Sequence, residues 1–141
     1  MSDVVYQESF SVERGNYALA GEASSKIKKI LIRMGVDPAL IRDIAIAAYE
    51  AELNLVIHSN GGELALMITP RSIRLICRDQ GPGIPDISLA MKEGYSTAPE
   101  SVRQMGFGAG MGLPNIKRHS QEFAIESEVG KGTLITASYQ I

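Results

Sequence analysis

The chain has 141 residues, 45% of them apolar and 21% charged, with a formal net charge of −2. That length fits a single domain spanning 1–141, which can bury about 68–70% of its unfolded surface, and the absent basic excess argues against nucleic acid or an anionic membrane as partner. A lone cysteine, Cys77, excludes an internal disulfide and a Cys-cluster zinc site, and two histidines exclude a His-rich metal site.

The first ten residues lack a basic-then-apolar leader pattern, and no apolar run approaches the roughly 18 residues of a membrane span. A cytoplasmic location is the expectation. Residues 4–12 read as a strand, with Val4, Tyr6 and Phe10 partly alternating. The three- and four-residue spacing of Ala20, Ala23, Ile27, Ile30, Leu31 and Met34 predicts a helix over 16–34, stopped by Gly35. Asp37-Pro38 opens a second helix to about Ile57, with Asp37 as N-cap and Pro38 in the first turn.

Beyond Asn60-Gly61-Gly62 the period falls to two. Leu64, Leu66 and Ile68 alternate, as do Ile73, Leu75 and Cys77, with a turn at Thr69-Pro70-Arg71-Ser72. A short helix is expected from Asp86 to about Glu93, and another from Pro114 to Ser120. Phe123, Ile125 and Val129 make a strand, Gly130-Lys131-Gly132 a turn, and Thr133–Tyr139 a last strand. Strands in hairpins with helices grouped between them indicate an α+β two-layer sandwich over a mixed, mostly antiparallel sheet. Residues 94–112 read as a long loop, and structureless loops beyond about 12–15 residues usually serve a function.

Four groups of residues could carry chemistry. Gly106, Gly108, Gly110 and Gly112 alternate with other residues just before a helix, so backbone N–H groups could approach an anion there. The bland alternative is a flexible linker, but linkers carry polar residues and this segment carries Phe107 and Met111. The pattern is neither a dinucleotide fingerprint nor a Walker loop. Asp79, at the end of an apolar strand and before Gly81 and Gly83, places a carboxylate at the sheet rim, where it could accept from an exocyclic amine such as adenine's. Taken alone it is an ordinary acid in a glycine turn.

Glu50 and Asn54 stand four residues apart, about 400° around a helix, and so share a face. A carboxylate base and a carbonyl ligand for Mg²⁺ would fit that face, as would a solvated polar stripe including Glu52. His58 reads as a helix-end residue, and His119 as part of a basic helix end. Cys77 reads as inert core.

In combination these groups resemble the histidine-kinase-like ATPase family, shared by sensor kinases, type II topoisomerases and mismatch-repair ATPases. Glu50…Asn54, Asp79-x-Gly81-x-Gly83, the four-glycine loop and Gly132-Thr133 follow the order of its N, G1 and G2 boxes and late Gly-Thr, over about residues 10–138. The segments Asp79–Asp86, Gly94–Thr97, Gly110–Pro114 and Gly130–Thr133 are most similar to its small bacterial serine/threonine kinases, the anti-sigma and stress-switch branch.

The resemblance implies a Bergerat-type ATP-binding fold. Asp79 would bind the adenine amine, Gly81 and Gly83 would pack near the ring, and Thr133 would support that end. Asn54 would coordinate Mg²⁺, residues 106–112 would wrap the triphosphate, and residues 94–105 would form a lid. Glu50 would be general base toward a substrate hydroxyl. The implied function is phosphorylation of a small antagonist protein of the sulfate-transporter/anti-sigma-antagonist (STAS) type, with a sigma factor as a further partner and a homodimer allowed. The alternative is a binding module that holds ATP and a partner with slow or absent transfer. A sensor-kinase fragment is disfavoured, since no helical hairpin bearing a phosphorylatable histidine precedes the domain.

Overall fold

Alternation in the first segment produces strand β1, Tyr6–Val12, leaving Val4 outside it. A computed structural model describes residues 4–81, 83–84, 86–92 and 112–141. The helix expected over 16–34 is divided. Tyr17–Leu19 makes a single 3-10 turn, and helix α1 runs only from Glu22 to Arg33. Gly21 lies between them with φ 98°, a left-handed conformation that interrupts a right-handed helix.

Gly21 cannot cap α1 with a side chain, and Glu52 of the next helix does so. Its two carboxylate oxygens accept from the backbone N–H groups of Ala23 at 3.1 Å and Ser24 at 2.9 Å. Those donors have no intrahelical partner, and a negative charge suits the helix N-terminus. Glu52 is only 2% exposed, so it is not part of the solvated stripe that its spacing from Glu50 allowed.

Helix α2, Pro38–His58, starts as its sequence indicates: Asp37 Oδ1 accepts from Ala39 N at 2.9 Å, and Pro38 occupies the first turn. At its far end Ser59 Oγ donates to the Leu55 carbonyl at 2.7 Å and accepts from Gly61 N at 3.0 Å. Strands β2, Gly62–Ile68, and β3, Ser72–Asp79, follow as a hairpin. The short α3 covers Ile87–Ala90, and α4 covers Gly112–Arg118, two residues earlier than expected. Strands β4, Glu122–Glu128, and β5, Gly132–Gln140, complete a second hairpin.

The sheet order is β1-β2-β3-β5-β4, and all four neighbouring pairs are antiparallel, so among the described residues the expected mixed sheet is wholly antiparallel. One face supplies Leu64, Leu66, Ile73, Leu75 and Ile135 to the core. Against them pack Ile27 and Leu31 of α1, Ile44 and Leu55 of α2, and Ile116 of α4. Each such side chain, fully buried, contributes about 1.5–3 kcal/mol. The other face carries exposed Arg74, Arg78, Glu122 and Glu126, so the molecule has two layers.

Glu52→Ala leaves two helix N–H groups without their charged acceptor. Stability is expected to fall by about 2–3 kcal/mol, the scale of hydrogen bonds to a charged group. Chemical denaturation measures it, and an unchanged midpoint would show that water satisfies those donors equally well.

Candidate functional site

The sheet rim and the α2–α4 seam carry two clusters of site residues. At the rim, Asp79 ends β3. Its Oδ1 accepts from Gly81 N at 3.0 Å and from Thr133 N at 2.8 Å. The first bond closes the turn after the strand, and the second ties that turn to β5. Among the described residues, Asp79 Oδ2 has no partner, leaving an acceptor for a ligand donor.

Two glycines let neighbouring strands come close enough. Gly62 pairs directly with Asp79 in the β2–β3 register, and a Cβ there would overlap the Arg78 carbonyl. Gly132 has φ 134°, and a Cβ there would overlap the Asp79 carbonyl and lie 2.9 Å from Asp79 Oδ1. Behind them Thr133 is buried, its Oγ1 2.8 Å from Ser127 Oγ. Ser127 Oγ also accepts from Ile84 N at 2.7 Å. Asp79, Gly81, Gly83 and Thr133 therefore converge around one turn. Ser127, which the sequence reading missed, links the Gly83–Ile84 segment to Thr133.

The second cluster lies where α2 meets α4. Glu50 is half-buried, and its Oε2 is 3.5 Å from the position a Cβ on Gly112 would take. Burial pushes the Glu50 carboxyl above the usual carboxylate range, while a hydrogen bond from Asn115 and the charge of His119 pull it back. A carboxylate raised in this way moves toward the affinity a general base needs near neutral pH. Asn54, one turn further along α2, is also half-buried.

Among the described residues no group of three or more His, Cys, Asp or Glu side chains could hold a metal ion. A lone side-chain oxygen such as that of Asn54 could serve Mg²⁺, which keeps water and phosphate ligands and needs few protein oxygens. Gly106, Gly108, Gly110 and the lid expected over 94–105 lie outside the described residues. Gly112, expected in the loop, is the first residue of α4. Cys77 is buried, with its thiol pushed up to about 12 by burial and by the Asp79 charge, in keeping with an inert role. His119 is more than a helix-end charge, since its Nδ1 lies 3.4 Å from Asp43 Oδ1. Among the described residues no helix is long and apolar enough to cross a membrane.

Gly132→Ala would force a side chain against Asp79 in a left-handed backbone, a strain of about 1–3 kcal/mol before any overlap is counted. The variant is expected to melt at lower temperature than wild type. An equal melting temperature would mean that β5 can move away from Asp79 without loss.

The family model described as the histidine kinase-like ATPase domain matches residues 15–139. The serine/threonine-protein kinase RsbT of Bacillus subtilis is 36% identical over 98 residues, 67% of this chain and 68% of that protein. The anti-sigma F factor of Geobacillus kaustophilus is 32% identical over 108 residues, 71% of this chain and 70% of that protein. A chain in the crystal structure of the SiaB–SiaC complex from Pseudomonas aeruginosa shares the fold, with a TM-score of 0.62, 15% identity and coverage of 96% of this chain and 89% of that one. With the family model spanning nearly the whole chain, and the Asp79 turn and the Glu50–Asn54 helix face arranged as described, the protein belongs to the histidine kinase-like ATPase domain family.

Proposed function

We propose that the chain is a cytoplasmic, ATP-dependent serine/threonine protein kinase of a bacterial partner-switching system, acting on a small antagonist protein of the STAS type. The observation that carries the reading is Glu50: a half-buried carboxylate of raised proton affinity, against the first turn of α4 and one helical turn from Asn54. Relatives named as a serine/threonine-protein kinase and as anti-sigma factors support it.

At the rim, Asp79 Oδ2 accepts the adenine amine while Oδ1 stays committed to Gly81 and Thr133. Asn54 would hold Mg²⁺ through its side-chain oxygen, and the ion would offset charge on the phosphates. Bound Mg-ATP supplies the γ-phosphoryl group. Glu50 takes the proton of the partner's Ser or Thr hydroxyl as that oxygen bonds to the γ-phosphorus, the bond to the bridging oxygen breaks and ADP leaves. Most of the rate comes from positioning and charge stabilisation. A sigma factor and a second copy of the chain are further partners that this reading allows.

Asp79→Asn keeps one oxygen for the two backbone N–H groups and turns an amide donor toward the adenine amine. ATP affinity is expected to fall about tenfold or more, from a mispaired polar contact costing about 1–3 kcal/mol. Calorimetry measures it, and unchanged affinity removes Asp79 from the site.

Glu50→Gln is expected to bind ATP nearly as wild type and to transfer phosphate about 10²–10⁴-fold more slowly, the span of general base catalysis. Asn54→Ala is expected to lose Mg²⁺-dependent ATP binding and transfer together. Single-turnover transfer from labelled ATP to a STAS-type partner, beside an ATP titration, separates these outcomes. A wild type that binds the partner in an ATP-dependent way yet transfers nothing is a switch-like binding module instead.

A further inference from the structure

Helices α1 and α2 are joined by residues 34–37 and pack together, and an open groove of about 770 Å³ lies between them. The α1 side supplies Ile32 and Val36, and α2 supplies Ile46 and Tyr49. Ile32 is 56% exposed and Tyr49 38%. Exposed apolar side chains scattered singly are ordinary, but a contiguous groove of them is the feature that marks an interaction site.

The same groove is lined by two cations and by the candidate base. Lys28 and Arg42 are both exposed, and among the described residues neither has an ion-pair partner. Asp43, next to Arg42, is instead 3.4 Å from His119. Helix α1 carries Lys26, Lys28, Lys29 and Arg33 against a single acid, Glu22, although the whole chain has a net charge of −2. Glu50 also lines the groove. Arg42, Ile46, Glu50 and Asn54 follow one another at four-residue steps, so one side of α2 leads from the cation past the groove to Glu50 and on to Asn54. Arg42 and Glu50 are eight residues apart, which is about 12 Å along the helix axis.

Helix α4 closes one flank of Glu50 and the core lies beneath α2, so among the described residues the groove is the open approach to this carboxylate. We propose that the α1–α2 groove is the docking site for the acceptor segment of the partner protein. An aliphatic side chain of that segment sits between Ile32 and Ile46, and a carboxylate of it lies beside Lys28 and Arg42, about 12 Å from the hydroxyl that Glu50 deprotonates. This deepens the kinase reading and rests on it. Burial of the apolar walls supplies the attraction. The two cations favour acidic segments and disfavour basic ones, because charges across an interface set specificity and encounter rate.

The test uses the full chain, labelled ATP and a STAS-type partner at low salt, with single-turnover transfer followed as the partner concentration is raised. Lys28→Glu with Arg42→Glu reverses both groove cations. The half-saturating partner concentration is expected to rise about tenfold or more, with ATP affinity unchanged. Ile32→Gln removes an exposed apolar contact without emptying the core and is expected to raise it severalfold. Arg71→Glu with Arg74→Glu makes the same change in net charge at exposed positions outside the groove and is expected to leave it unmoved. Changing to Lys the partner's carboxylates that lie about 12 Å from its acceptor hydroxyl is expected to weaken transfer by the wild type and to restore it for the Lys28→Glu, Arg42→Glu chain.

Wild-type half-saturation in both the cation reversal and Ile32→Gln overturns the proposal. An equal loss in the Arg71, Arg74 variant also overturns it, since the effect would then belong to net charge and not to the groove. The two readings fail separately. If the wild type transfers nothing, or Glu50→Gln transfers at the wild-type rate, the kinase reading falls and takes this docking site with it. If Glu50→Gln is inactive while the groove variants saturate as wild type, the docking site alone falls.

Discussion

Helix α2 is closed in by α1 on one flank, α4 on the other and the sheet beneath, and Ala48, Ala51 and Leu55 are buried along it. Yet Glu50, Glu52 and Asn54 fall within five consecutive positions of that helix. Polar groups taken out of water must find partners or cost free energy. Each residue advances the helix by about 100°, so Glu50 and Glu52 point to different neighbours. Glu52 meets the N-terminus of α1 and has both oxygens satisfied. Glu50 meets α4, where Asn115 and His119 only partly offset the effect of burial. Two glutamates two residues apart thus become a structural cap and a candidate base, a difference made by their neighbours and not by their chemistry.

The rim differs in character from the seam. There the fixed elements are backbone: a turn closed on Asp79 Oδ1, a strand anchored to the same oxygen, and glycines that permit the approach. Groups held by strand pairing and short hydrogen bonds keep their geometry better than groups on loops. At the seam the fixed elements are side chains on two helices, one of only seven residues. The two clusters meet through α2 itself, since Cys77 Sγ on β3 contacts the Ala51 carbonyl beside Glu50 at 3.7 Å.

Much of this was legible in the sequence because it is local. Asp37-Pro38 announced the start of α2, Thr69–Ser72 the hairpin, and Asp79-x-Gly81 its own turn, each within a few residues. The family resemblance grouped Asp79 with Thr133, whose N–H proves to bond the same carboxylate across 54 residues. The missed features depend on distant partners. The break at Gly21 was hidden by an apolar spacing that continued through it, and the cap that makes the break tolerable comes from Glu52, 28 residues beyond Ser24. Asn115 could have been marked as sharing a face with His119, but nothing local indicates that this face meets Glu50.

The strand order carries a consequence for biosynthesis. β5 is translated after every other described strand, yet it lies inside the sheet, between β3 and β4. Until it inserts, β3 has an open edge, β4 has no partner, and Asp79 Oδ1 lacks the Thr133 N–H. Earlier segments can collapse as the chain emerges, because α1, α2 and the first hairpin make contacts among themselves. The turn around Asp79 cannot be completed then. A nascent chain would therefore lack the bond that ties this turn to β5 until residues 132–140 have cleared the ribosome, and the rim would take its final geometry only as the last strand docks.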